Sequence, residues 1–312
     1  MNTQNLETLQ NFTEENLPDL AVAVLGALEL FAQAELPQMD VSVYKHPMIV
    51  GSGNAEATGR IIFEKSDAIF ASESTYEEKL KNIDTIDGVV IISASGEKHA
   101  PIIAQKAKDL DKSVTLLTNS PESAAAKIAD TVYAYPKNRE PYTYNTSTYM
   151  AMILGATGEN PQEIHEYITD TVDAVALPNF NDFDRYYLIV PARFAGIIRM
   201  LQVKFIELFG RTVARDVETD EYVAHATTVV PGNELFISFG TEAERNTTWG
   251  KEENRLHIPL PENADYATMM AISYYVIGKI QKAKPQLFKE NIHDYMKKAS
   301  EAFGHELKVV VE

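Results

Sequence analysis

Residues 87–136 read DGVVIISASGEKHAPIIAQKAKDLDKSVTLLTNSPESAAAKIADTVYAYP. The apolar run Val89-Val90-Ile91-Ile92 has the composition of a buried parallel strand, and it stops at Ser93-Ala94-Ser95-Gly96. A helical pattern follows, with apolar residues at Ile102, Ile103, Ala107 and Leu110. A second apolar run, Val114 to Leu117, comes after a turn, so the unit is strand, loop, helix, strand. Two serines spaced i, i+2, then Gly96 and Lys98, stand where the strand gives way to the helix. Backbone N–H groups and the positive end of the helix dipole favour an anion at such a point. Ser93 and Ser95 add hydroxyl donors, and Gly96 admits a close backbone approach. The same residues also suit a turn whose serines cap the helix and bind nothing.

Working outward, the pattern repeats. Upstream, Met48-Ile49-Val50 reads as a first strand and Gly51-Ser52-Gly53-Asn54 as the turn into a helix over 55–63. That turn is a second polar rim for the same cleft; Gly59 falls too late for a dinucleotide fingerprint. Residues 68–74 read as a strand, followed by a helix with Tyr76, Leu80 and Ile83. Thr131 to Tyr135 is a further strand. Strand and helix alternate four or five times, which predicts an open, parallel, doubly wound sheet with ligands beyond the carboxyl ends of its strands. Residues 5–35 read as two helices, the second apolar nearly all round and therefore buried. Asn145 and Thr146 begin a hydroxyl-rich helix start.

Residues 177–183 read as a linker. A second α/β pattern follows, with a strand at 187–190, a helix over 194–209, Val229 to Pro231 leading to a strand at 235–239, a strand at 256–260 and a helix over 267–280. The tail 308–312 follows a helix broken at Gly304. This predicts helices over 1–39, a first α/β domain over 40–176 and a second, shorter one over 177–312.

The 312 residues are 45% apolar and contain no cysteine, which excludes disulfides, zinc–thiolate sites and a cysteine nucleophile. No apolar run approaches the ~20 residues of a membrane span, and the polar N-terminus lacks the pattern of a signal, so a cytoplasmic protein is expected. Twenty-eight basic against 45 acidic side chains leave a formal charge of −17, which weighs against nucleic acid or anionic membranes as partners. For a phosphorylated ligand, Lys98, Arg60 and helix dipoles would have to reverse the local field. The histidines are scattered with no i, i+4 pair, so no metal site is expected.

Gly51-Ser52-Gly53, Ile91-Ile92-Ser93-Ala94-Ser95-Gly96-Glu97, Thr118-Asn119-Ser120-Pro121 and Ile128-Ala129-Asp130 together resemble the SIS (sugar isomerase) family over roughly residues 40–160. The second half resembles a degenerate copy, with Phe239-Gly240-Thr241 where a serine loop would stand. The resemblance implies two tandem flavodoxin-like three-layer α/β sandwiches with parallel sheets. It also implies a homodimer and metal-independent aldose–ketose isomerisation of a hexose 6-phosphate, without a cofactor. It places the phosphate on Ser93, Ser95, Gly96 and Lys98 (a lysine where the family has threonine), helped by Gly51, Ser52, Gly53 and Asn54. Glu140, Asn145 and Thr146 would line the sugar, with Ser147 in place of the family's lysine.

By the same resemblance Glu207 is the base for an enediolate and His225, eighteen positions on, opens the sugar ring. Ala226-Thr227 replaces the motif that follows this histidine in the family. Glu221 is the second candidate carboxylate, and Lys308 resembles a lysine of the family's tail. The residues themselves leave other readings open. Glu207 lies three after Lys204 on a helix, the spacing of an ion pair, and His225 lies in a segment that reads as strand or loop. A deglycase or amino-transfer enzyme using Lys308, or a sugar-phosphate sensor without chemistry, fits the same pattern.

Overall fold

The apolar runs become strands because only a ladder satisfies their backbone groups once both faces are buried. The computed structural model describes residues 3–226, 232–240 and 250–312. Thr227, Val229 to Pro231 and Thr241 lie outside the described residues. Two helices, α1 (Gln4–Asn11) and α2 (Leu20–Phe31), open the chain, and the backbone gathers into two units, Leu30–Lys137 with Ser147–Glu159 and the remainder.

The first unit holds β1 (Pro47–Val50), α3 (Asn54–Ile62), β2 (Ile69–Ala71), α4 (Tyr76–Asn82), β3 (Gly88–Ile92), α5 (Ala100–Lys108), β4 (Ser113–Thr118) and β5 (Thr131–Ala134). The strands form one parallel sheet in the order β2-β1-β3-β4-β5. Met48, Val50, Val89, Ile91, Val114 and Leu116 make the core of one face with Ala100, Ile103, Ala104 and Ala107 of α5. The apolar face of α5 agrees with the one expected at Ile103 and Ala107 and departs from it at Ile102 and, past the helix end, at Leu110. Ile102 is 61% exposed and Leu110 38%, because the helix sets its i, i+3, i+4, i+7 row, three alanines and Ile103, against the sheet. The strand read at 68–74 shortens to three residues, since Ser72 and Thr75 close a turn with Ser72 N–H donating to Thr75 Oγ1.

Next come β6 (Glu140–Pro141), α6 (Thr146–Thr157) and α7 (Pro161–Tyr167). The second sheet is built from β7 (Arg185–Val190), β8 (Ala214–Thr219), β9 (Glu234–Phe239) and β10 (Arg255–Ile258). Its helices are α8 (Ile198–Phe209), α9 (Asp220–Ala226) and α10 (Tyr266–Ala283), and α11 (Ile292–Phe303) and β11 (Val310–Val311) end the chain. This sheet is parallel in the order β10-β9-β7-β8. Counted from its own first strand it runs 2-1-3-4, the order of the first sheet without its fifth strand. The second copy is thus the shorter of two repeats of one topology.

Two local expectations change in this unit. The helix read over 194–209 begins as a 3-10 turn, Ala192–Ile197, with Phe194 outside helical geometry, before α8 proper. His225, read in a strand or loop, is in the last turn of α9, which follows an unforeseen strand, β8. β8 escapes detection because its sequence, ARDVET, is charged. It lies at the sheet edge, with only Val217 fully buried.

In α2 the buried Glu29 accepts the Leu6 N–H of α1 at 2.6 Å and Asn5 Nδ2 at 2.7 Å, so this carboxylate satisfies a helix end that lacks intrahelical partners. On β8, burial and the neighbouring Asp216 raise the pKa of Glu218. A carboxyl raised in the folded state binds its proton more tightly there than when unfolded, so stability falls as pH rises through its folded pKa. Glu218→Gln is expected to raise stability at pH 7 by about 0.5 kcal/mol. It should also flatten the slope of stability above the ordinary glutamate range of about 4 to 5. Thermal unfolding between pH 4 and 8 checks both; an unchanged slope in the variant would count against the assignment.

Candidate active site

Because β1 lies between β2 and β3, the turns at the carboxyl ends of these three strands are neighbours. They enclose a cleft of about 190 Å³ at the point where the strand order reverses, the position where this topology takes ligands. Gly51 and Ser52 come from the first turn, Glu73 from the second and Ser93, Ser95 and Lys98 from the third; Tyr149 of α6 completes one wall. The two polar rims read from the sequence do line one cleft.

The serine loop is longer than expected, since α5 begins only at Ala100. Ser93 Oγ accepts the Gly96 N–H at 3.2 Å and Ser95 Oγ the Glu97 N–H at 3.3 Å. Two of the loop's N–H groups are thus committed to serine oxygens, while each hydroxyl keeps its proton to donate. The loop is pinned from behind: Ala94 O accepts from Asn119 N at 2.9 Å and from Thr118 Oγ1 at 3.0 Å, and Gly96 O accepts from Ala125 N at 3.0 Å. Gly96 has φ +63° and Lys98 φ +44°, so two left-handed residues aim the turn. Asn54 opens α3 with a nearly buried side chain.

The expected field is only partly present. Arg60 is held by Glu56 in an i, i+4 pair at 2.8 Å and stacks over Phe70, so it does not reach the cleft. Lys98 lines it, together with two carboxylates, Glu73 and Glu97. Glu73 Oε1 accepts the Ser52 hydroxyl at 2.9 Å, and its Oε2 lies 3.6 Å from His99 Nε2. Sequence reading missed Glu73, because its place beside the serine loop depends on the strand order alone.

The other candidates lie in the second unit. Glu207 on α8 is 18% exposed and 2.8 Å from the ammonium of the fully buried Lys204, so the ion-pair geometry is realised, though not at the surface. Lys204 Nζ also donates to Thr143 O at 2.6 Å and Tyr144 O at 2.7 Å. Burial, then the Glu207 carboxylate, raise the hydroxyl pKa of Tyr142; burial, Glu207 and Tyr142 push that of Tyr295 up to about 12, which keeps both as neutral donors. Glu140 is buried and accepts the Thr146 N–H at 2.7 Å, beside Thr143 and Asn145, both with positive φ. Glu221 and His225 are exposed one turn apart on α9. Lys308 lines a separate cavity of about 820 Å³ with Arg139 and Tyr142. At the corner of this sheet that matches the Glu73 turn, Asp220 takes the Ala192 N–H at 2.9 Å. Among the described residues no group of three or more His, Asp or Glu is placed to hold a metal, and no helix is long and apolar enough to cross a membrane.

Solved structures share this architecture. Glucosamine-6-phosphate deaminase from Thermotoga maritima superposes with a TM-score of 0.62 at 13% identity, over 92% of this chain and 97% of that one. Tagatose-6-phosphate ketose/aldose isomerase from Escherichia coli does so at 0.54 and 13%, over 89% and 87%. The chain has the tandem SIS fold. A third SIS structure, the C-terminal domain of glucosamine-fructose-6-phosphate aminotransferase from Francisella tularensis, matches at 0.52 and 12%, over 89% and 94%. No family model matches the chain. No curated protein matches it in sequence. The likeness is one of fold.

Proposed function

We propose that this chain is a metal-independent isomerase of a hexose 6-phosphate, working in the cytoplasm as a homodimer. The observation that carries the reading is the cleft at the reversal of strand order, where Ser52, Ser93, Ser95 and Lys98 converge before the N-terminus of α5. Hydroxyl donors, a lysine point charge and a helix dipole are the chemistry that holds a phosphate monoester. In this reading Ser93, Ser95 and Lys98 bind the phosphate, Gly51, Gly53 and Gly96 shape its cradle, and Glu140, Asn145 and Thr146 line the sugar. Glu207 takes the proton from C2 and returns it to C1 through an enediolate, with Lys204 fixing its carboxylate. His225 opens the ring, and Glu221 is the reserve carboxylate.

Solvent-deuterium exchange at C1 of fructose 6-phosphate, the carbon that gives up its proton when a ketose forms the enediolate, tests the chemistry. Wild type is expected to incorporate deuterium, and Glu207→Gln to do so about 10²- to 10⁴-fold more slowly, the usual contribution of a general base. Thermal-shift titration tests the binding: Ser95→Ala, which loses one hydrogen bond to a charged group, should weaken sugar phosphates about tenfold or more. Equal melting curves with and without every ligand would remove the phosphosugar reading altogether.

A second reading is a sugar-phosphate sensor, favoured by the existing pairing of Glu207 with Lys204 and the exposure of His225. Binding without exchange at C1 would select it. A deglycase using Lys308 would instead release an amine from a phosphosugar amine.

A further inference from the structure

We infer that Glu73 makes this cleft select phosphate monoesters whose remaining groups are hydroxyl or ammonium donors, and reject those that carry a second anion. The inference rests on the cleft being the phosphate site.

Glu73 reaches the cleft because β2 is the neighbour of β1, so the turn after β2 lies beside Ser52. Its carboxylate is fixed from one side by the Ser52 hydroxyl at 2.9 Å, and His99 Nε2 stands 3.6 Å from its other oxygen. A carboxylate offers about four acceptor positions, so Glu73 retains capacity for donors on a ligand. It is 37% exposed, accessible to whatever enters.

The charges around it decide the sign. Lys98 is the lysine of the cleft wall, set against the carboxylates of Glu73 and Glu97. Glu97 Oε1 accepts the Ala124 N–H at 3.2 Å, toward the loop that follows β4. Acidic side chains therefore outnumber the lysine even before a phosphate arrives, and His99 compensates only when protonated. Hydroxyls, N–H groups and Lys98 can serve one phosphate. A second anion in the same small volume meets Glu73 at short range, where like charges repel with little screening.

The second sheet supplies an internal comparison. There too the turn after the edge strand places a carboxylate, Asp220, over the turn after the central strand. Asp220 is 4% exposed and accepts the Ala192 backbone N–H. In that copy the carboxylate holds the turn together. In the first it is bound only by side chains and stands in an open cleft, where it can meet a ligand.

Calorimetric titration of the full chain with inorganic phosphate, glucitol 6-phosphate and gluconate 6-phosphate tests this, since the last two differ in a carboxylate for a hydroxymethyl group. Wild type is expected to bind the glucitol ester about tenfold more tightly than the gluconate ester. Glu73→Gln should bring the two within about twofold, mainly by tightening the gluconate ester, and Glu73→Asp should restore the preference. Equal affinities in wild type, or a preference that survives Glu73→Gln, would overturn the inference while leaving the phosphate site intact. Failure of wild type to bind any of the three would instead remove the phosphate site, and the inference with it.

Discussion

Replacing Lys204 by Met is expected to cost about 3–5 kcal/mol of stability, the largest loss foreseen for any single substitution considered in this fold. The ammonium is fully buried and uses all three protons, on Thr143 O, Tyr144 O and Glu207 Oε2, at 2.6, 2.7 and 2.8 Å. Methionine keeps most of the apolar stem but leaves two carbonyls and a carboxylate without their donor, and stranded acceptors cost more than the pair contributed. The segment that loses its staple is itself strained. Thr143, a β-branched residue, has φ +75°, and Asn145 has φ +46°. Urea unfolding of wild type, Lys204→Met, Glu207→Gln and the double variant measures this. The double variant should lose less than the sum of the singles, because the second change removes the charge stranded by the first. A loss below about 1 kcal/mol in Lys204→Met would show that the ammonium is not needed there. The same cycle bears on function, since a base whose position depends on Lys204 should lose activity with Lys204→Met in the protein that remains folded.

Gly96→Ala is expected to cost at least about 2 kcal/mol and to abolish phosphate binding. The left-handed conformation at φ +63° costs a residue with a Cβ about 1–2 kcal/mol. The new methyl would also overlap the side chain of Ser123, so either the serine loop or the loop after β4 must move. Those loops are joined through Ala125 N–H to Gly96 O, and their separation displaces Ser93 and Ser95 together. Ser123→Gly added to Gly96→Ala removes the overlap but not the backbone strain, and should recover part of the stability. Binding of inorganic phosphate, followed by calorimetry alongside unfolding, separates the two effects. Unchanged affinity in a folded Gly96→Ala would show that the loop does not hold the anion.

Short-range signals carried most of the fold. Continuous apolar runs such as Val89 to Ile92 and Met48 to Val50 become strands because burial on both faces demands apolar side chains at every position, a property visible in four residues. The serine loop was legible for the same reason: a strand end, two hydroxyls and a glycine before a helix form one local pattern. Where the local signal was weak, the reading missed. β8 is charged and half-exposed, so nothing in ARDVET separates it from a loop, and the placement of His225 in a helix went with it. On α5, Ile102 and Ile103 are equally apolar, and only the position of the sheet decides which is buried.

The site depended on tertiary structure more than the fold did. Ser52, Glu73 and Ser95 converge because the sheet is ordered 2-1-3, an arrangement set by crossover connections and not by any one segment. Lys204 meets carbonyls some sixty positions away, and Arg60 turns from the cleft to Glu56. By itself the sequence determined which segments become strands and helices, how they alternate, and where a loop able to hold an anion lies, because each follows from burial and hydrogen bonding over a few neighbouring residues. Only the tertiary structure decided which charges share that cleft, since Coulombic partners are chosen by distance in space and their positions in the chain leave no trace of it.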